Sequence, residues 1–208
     1  MKNKVKLYKF FSLSIFLLCT AEIILVFFSW IISSIYPESN VHSLLGSEGI
    51  RWLLGSYTDN LCRTPLIYLL LVAMAYGMYK RSGIQQCIKK YLKGVRLSYR
   101  ERLSFIFIAI EIIMTISIII LLTCIPHALL LSVSGDLFPS SFSKSLVPMA
   151  SMLLLLIGTT SGIILGKMRS INEWGNAMSD GLRDFSPFVL LYLFIMQFAC
   201  TIKFVFFQ

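Results

Sequence analysis

Long, repeated runs of apolar residues constrain this chain more than any other feature. Crossing about 30 Å of hydrocarbon takes about 20 predominantly apolar residues in a helix, and stretches near that length recur along the sequence. A helix on a soluble core shows a polar face at every turn; these runs show none. Five segments qualify, at about 10–33, 61–79, 103–125, 146–165 and 188–207. The expected fold is an all-α integral membrane protein with five spans, in a single membrane domain over 1–208. Composition agrees: 57% of residues are hydrophobic and 14% charged, against about 45–50% and 25% in soluble domains.

The first segment follows Lys2, Lys4, Lys6 and Lys9, as the apolar core of a secretory leader would. Its run is too long for one, no small-x-small cleavage site follows, and Leu18 is too bulky before Cys19 for a lipoprotein-type site. It reads as an uncleaved span.

A net charge of +9 suggests nucleic acid until the charges are placed. Four of the 19 Lys and Arg lie at the N-terminus, eight between Lys80 and Arg102, and three between Lys167 and Asp184. These 15 share one side of the membrane, and only Arg51, Arg63, Lys144 and Lys203 fall on the other. Positive loops stay cytoplasmic, so the N-terminus is expected inside and the C-terminus outside, with no nucleic-acid partner.

Two connectors carry structure of their own. The external segment from Tyr36 to Thr64 places Leu44, Leu45, Ile50, Trp52, Leu53 and Leu54 amphipathically, so it lies on the membrane or dips into it. The basic cytoplasmic loop sets Ile84, Ile88, Tyr91, Leu92 and Val95 on one helical face with lysines opposite. That is the pattern of an interfacial helix resting on anionic lipid; the alternative is an ordinary solvated connector.

Within the spans, Gly158, Gly162 and Gly166 recur every fourth residue, a spacing that lets helix backbones approach closely. Glycine is also simply frequent in spans, and the spacing does not say whether such a seam lies within or between subunits. Glu22 and Glu111 each sit near the middle of a span, where an ionised carboxylate costs at least a few kcal/mol. They are either a proton or cation relay or, the reading favoured, neutral carboxyls that hold helices together. Gln197 reads as interhelical glue of the same kind.

Cys19, Cys62, Cys87, Cys124 and Cys200 form no CxxC pair; those within spans read as small apolar packing residues, and no internal disulfide is expected at Cys62. His42 and His127 have no second ligand at a metal spacing. No catalytic triad order, HExxH, P-loop or GxGxxG occurs. No enzyme, cofactor or metal is expected.

Two ordered sets of residues resemble the p-aminobenzoyl-glutamate transporter (AbgT-type) family. The first runs Ser43-Leu44-Leu45-Gly46-Ser47-Glu48-Gly49-Ile50-Arg51-Trp52-Leu53-Leu54, with Glu48, Gly49, Arg51 and Trp52 as its polar and aromatic signature. It continues through Asn60, Pro65, Val72-Ala73-Met74, Gly77 and Ser82-Gly83. The second runs from Ile125-Pro126-His127-Ala128-Leu129 through Ser141-Phe142-Ser143-Lys144-Ser145-Leu146-Val147-Pro148 and Ser161-Gly162 to Met196-Gln197-Phe198.

The resemblance implies a dimeric fold in which a dimerisation core supports an outer transport part. Members are about twice this length and carry two membrane hairpins with the substrate-contacting residues. Here a basic loop replaces the first hairpin after Ser82-Gly83. The second hairpin would follow Phe198, and the sequence ends at Gln208. Lys80 stands where the family usually has Glu. The segments present resemble the family's first, second, fifth, sixth and seventh spans, its dimerisation core.

Two functions follow from this. One is a scaffold or dimerisation unit, a homodimer or a partner to a longer homologue, with little or no transport alone. The other is a small oligomeric secondary transporter, proton- or ion-coupled, for p-aminobenzoyl-glutamate or antimetabolite-like solutes.

Overall fold

The computed structural model describes residues 2–36, 38, 40–124 and 140–207. Pro126 and His127, with the rest of 125–139, lie outside the described residues, as do the side chains of Lys2, Lys4 and Cys124. Among the described residues the structure is helical, without strands. The elements are α1 (Lys2–Ile35), α2 (Ser47–Gly55), α3 (Tyr57–Leu61), α4 (Thr64–Ser82), α5 (Ile84–Leu92), α6 (Tyr99–Cys124), α7 (Ser141–Ile164) and α8 (Ile171–Phe207). The all-α membrane class stands.

Each of the five expected spans is a helix. Four, α1, α6, α7 and α8, are long and apolar enough to cross a membrane. The remaining one, α4, has 19 residues, about 28 Å of rise, but Pro65 at its start and Lys80 and Arg81 in its last turn lower its average hydropathy. The last helix departs most from expectation, beginning at Ile171 rather than near 188 and running 37 residues. At about 55 Å it outreaches the hydrocarbon layer, so its polar first half is helix where the sequence suggested a loop. Pro148 and Pro187 lie inside α7 and α8, which run on through them.

The chain forms two compact units. The first comprises Met1–Ile67 and Phe185–Gln208. Here α1 and the end of α8 run parallel, because the contacts climb both helices together. The ring of Phe11 meets Phe188 edge-on at 4.8 Å, Thr201 donates to Glu22, and Val26 packs beside Phe204 and Val205. The external segment caps this pair through α2. Leu44 is buried with Phe204 and Val205, Trp52 stacks on Phe204 at 4.4 Å, and the His42 amide donates to the Val205 carbonyl at 3.0 Å. Gly49 is required at its position, since a Cβ there would lie 2.3 Å from the Ser43 carbonyl oxygen.

The second unit, Tyr68–Asp184, holds most of α4, all of α5, α6 and α7, and the start of α8. The Tyr68 hydroxyl donates to the Lys144 carbonyl at 2.6 Å, while Met78 lies against Gly158, so α4 and α7 run parallel. The start of α6 shares a cavity with the end of α7, so those two run antiparallel. Thus α4 lies alongside α7 although it is the shorter helix. Short polar motifs start two of these helices. At α7 Ser140 and Ser143 cap each other reciprocally. At α6 Glu101 Oε2 accepts from the Ser98 amide at 2.8 Å while its Oε1 takes Lys90 at 2.7 Å, the acidic half of a capping box.

Candidate functional site

Two of the three expected intramembrane polar residues, Glu22 and Gln197, come together in the first unit. Glu22 on α1 and Gln197 on α8 meet through Thr201, one turn beyond Gln197. The Thr201 hydroxyl lies 3.0 Å from Glu22 Oε1 and 2.9 Å from the Gln197 carbonyl, so its single proton is shared between two acceptors. The Gln197 side-chain amide donates to the Thr201 oxygen at 3.5 Å, and its buried Oε1 is left without a partner. Beside them opens a cavity of about 610 Å³, walled otherwise by Leu53, Tyr57, Leu190 and Phe194 among others. The chemistry available there is one carboxyl and one amide on an apolar wall. That arrangement suits a neutral, hydrogen-bonded carboxyl or, when ionised, a bound cation, and it offers no positive group to an anion.

Glu111 belongs to the second unit. It sits on α6, where Thr115 bonds its backbone carbonyl and its buried Oε2 has no hydrogen-bond partner. The two glutamates thus belong to different units. Among the described residues no group of three or more His, Cys, Asp or Glu side chains has the arrangement to hold a metal.

The glycine seam takes a different form from the expected one. Gly158 does receive a helix: a Cβ there would lie 3.0 Å from both the carbonyl carbon and the Cβ of Met78 on α4. Gly162 faces Met168 from the following turn, whose sulfur would lie 2.8 Å away. Gly166 is no packing residue at all. It has φ +68° and ends α7, while Lys167 and Met168 amides both donate to the Gly162 carbonyl. An L-residue strains in that left-handed region, which is why the third glycine recurs.

A close helix contact is made by other residues. On α4, Ala73 and Gly77 face Ala177 and Gly181 on α8. A Cβ on Gly77 would sit 2.2 Å from the Ala177 carbonyl, and one on Gly181 would sit 2.1 Å from that of Ala73. Both helices carry small residues four apart, a signal legible in the sequence once α8 is taken to start early. Just beyond the seam, Lys80 pairs with Asp184, and Arg81 pairs with Asp180 at 2.9 Å. Lys80 donates to the Asp184 carboxylate, and that hydrogen bond holds its ammonium above the usual lysine range.

On the basic side, α5 buries Ile84 and Cys87 against its own unit and leaves Tyr91, Leu92 and Val95 exposed. Burial pushes the Cys87 thiol up, and the Glu101 carboxylate raises Lys90. Of the loop signature, Gly49 is buried and Trp52 half-buried, whereas Glu48 and Arg51 are exposed.

The model of the AbgT putative transporter family matches residues 75–205, more than half of the chain. The chain belongs to this family. No curated protein and no solved structure matches it. The AbgT match begins within α4 and takes in α5, α6, α7 and nearly all of α8, including Glu111, Gln197 and all three glycines of the fourth expected span. Glu22 and the Glu48–Trp52 signature fall outside it. As an AbgT-family chain with several membrane-crossing helices, this is a multi-pass membrane protein of a transporter family.

Proposed function

We propose that the chain is a scaffold and dimerisation unit of an AbgT-type transporter, with little or no transport of its own. It sits in the bacterial cytoplasmic membrane, N-terminus inside and C-terminus outside. One observation carries this reading. Between Ser82 at the end of α4 and Tyr99 at the start of α6, the chain makes only the nine-residue helix α5 and a short turn. Nine residues rise about 14 Å, too little for a membrane hairpin. That is where the family resemblance calls for the first transport hairpin. Carriers build their sites from exposed backbone at such broken or re-entrant segments. The parallel course of α1 and the end of α8, with the 15-to-4 division of basic residues, supports the orientation.

The apolar windows of α1 and α6 are 6% and 0% buried within the chain, which leaves room for lipid and for a second copy. The exposed Tyr91, Leu92 and Val95 beside Lys89 and Lys93 suit contact with anionic lipid at the basic loop.

The cavity beside Glu22 and Gln197 favours a second reading, a small ion-coupled carrier for p-aminobenzoyl-glutamate or antimetabolite-like solutes. The cavity walls carry no positive side chain to hold an anionic solute, so the scaffold reading is preferred. Extracted in mild detergent, the chain should migrate as a homodimer or together with a longer homologous chain. A monodisperse monomer under all extraction conditions contradicts the scaffold.

A further inference from the structure

The second unit contains a cavity of about 840 Å³ at the basic ends of its helices, and Tyr99, Arg100, Gly166, Arg169, Ile171 and Trp174 are among its walls. Two guanidiniums converge there. A carbon placed on Gly166 as a Cβ would lie 3.5 Å from Arg100 Nη1 and 3.7 Å from Arg169 Nη2, so both cations come within 4 Å of one point. Like charges held this close repel unless an anion lies between them.

The neighbouring carboxylates are tied down by other donors, although the charge of Glu173 still acts on Arg169 through space. Glu173 Oε2 accepts the Arg169 and Ser170 backbone amides, and Glu101 takes Lys90 and the Ser98 amide. Among the described residues neither Arg100 nor Arg169 lies within ion-pair distance of a carboxylate. A further donor is unspent: Trp174 Nε1 is buried with no hydrogen-bond partner, although its ring packs beside Met78, Met168 and Ala177. The rim is apolar and open, with Tyr99 78% and Ile171 82% exposed.

We infer that Arg100 and Arg169 clamp one phosphate group in this cavity, that of an anionic phospholipid headgroup. Arginine forks match phosphate oxygens in pairs, and basic pockets between spans on the cytoplasmic side are suited to acidic headgroups. The exposed Tyr99 and Ile171 meet the acyl chains. The opening of Gly166 is part of the design. Its lack of a side chain, already required by positive φ, leaves the space that the phosphate fills. The inference does not rest on the scaffold reading, because a carrier could hold the same lipid.

Trp174 makes the site observable. Replacing Trp30 and Trp52 by Phe leaves it as the sole tryptophan, and lipids brominated on their acyl chains quench a tryptophan they touch. In bilayers mixing phosphatidylcholine and phosphatidylglycerol, brominated phosphatidylglycerol should quench Trp174 in strong preference to brominated phosphatidylcholine. Arg100→Gln with Arg169→Gln should cut that preference by about tenfold, while Arg100→Lys with Arg169→Lys should retain part of it. Folding of each variant is checked by its elution in detergent. Inorganic phosphate separates the two sources of the group. Excess phosphate that weakens the quenching only by competition leaves the lipid assignment standing. Equal quenching by both lipids, with a Trp174 response to inorganic phosphate that the double Gln variant lacks, overturns the lipid in favour of a soluble phosphate; equal quenching without that response, or a preference unchanged in the double Gln variant, overturns the phosphate clamp altogether.

Discussion

At the scale of single residues, identical substitutions on one helix should have opposite effects. Gly175 and Gly181 both lie within α8, and replacing glycine by alanine in a helix stabilises it by about 1 kcal/mol on propensity alone. A Cβ on Gly175 meets nothing within 4 Å, whereas one on Gly181 would lie 2.1 Å from the Ala73 carbonyl oxygen. A contact that short forces the backbones apart, and overpacking typically costs about 1–3 kcal/mol, so the steric effect exceeds the propensity gain. Thermal unfolding of the purified protein in detergent should show Gly175→Ala equal to or above the parent and Gly181→Ala clearly below it. Equal midpoints would mean that α4 and α8 do not meet at this seam. Glu22 illustrates a different limit of residue-level reading. Its position inside a span marked it as consequential, but its partner Thr201 had no signal of its own until α1 and α8 were known to run side by side.

At the scale of elements, the apolar runs placed the helices and the polar stretches misplaced their ends. Spans were legible because the bilayer demands length and hydropathy together. The first half of α8 was not, because its helicity comes from packing: Ala177 and Gly181 against α4, and Asp180 and Asp184 paired to Arg81 and Lys80. Gly166 was misread for a related reason, since four-residue spacing is shared by helix seams and by a helix followed by its terminating glycine. The convergence of Arg100 and Arg169 had no linear signature, being created by the turn between α7 and α8. The start of α6 is the element most exposed to test. Glu101→Ala removes both the Lys90 partner and the acceptor for the Ser98 amide, and should cost about 1 kcal/mol. Glu101→Gln keeps an acceptor oxygen and should cost less. Unfolding midpoints that do not distinguish the two variants would show that the cap contributes little.

At the scale of the whole molecule, sidedness and activity are each open to a direct test. The exposed Cys62 and a cysteine introduced at Lys93 should label from opposite faces of the membrane with an impermeant reagent; labelling from the same face would break the orientation. The activity claim is negative and physical. Moving a charged solute across hydrocarbon requires a site that replaces its hydration, because unsatisfied polar groups cost several kcal/mol there. The first unit offers one carboxyl and one amide on an apolar wall, and the link between α4 and α6 has no room for a membrane hairpin. Reconstituted alone into proteoliposomes, the chain should take up p-aminobenzoyl-glutamate no faster than empty vesicles. Saturable uptake that disappears in Glu22→Gln or Glu111→Gln would contradict the scaffold and establish a carrier.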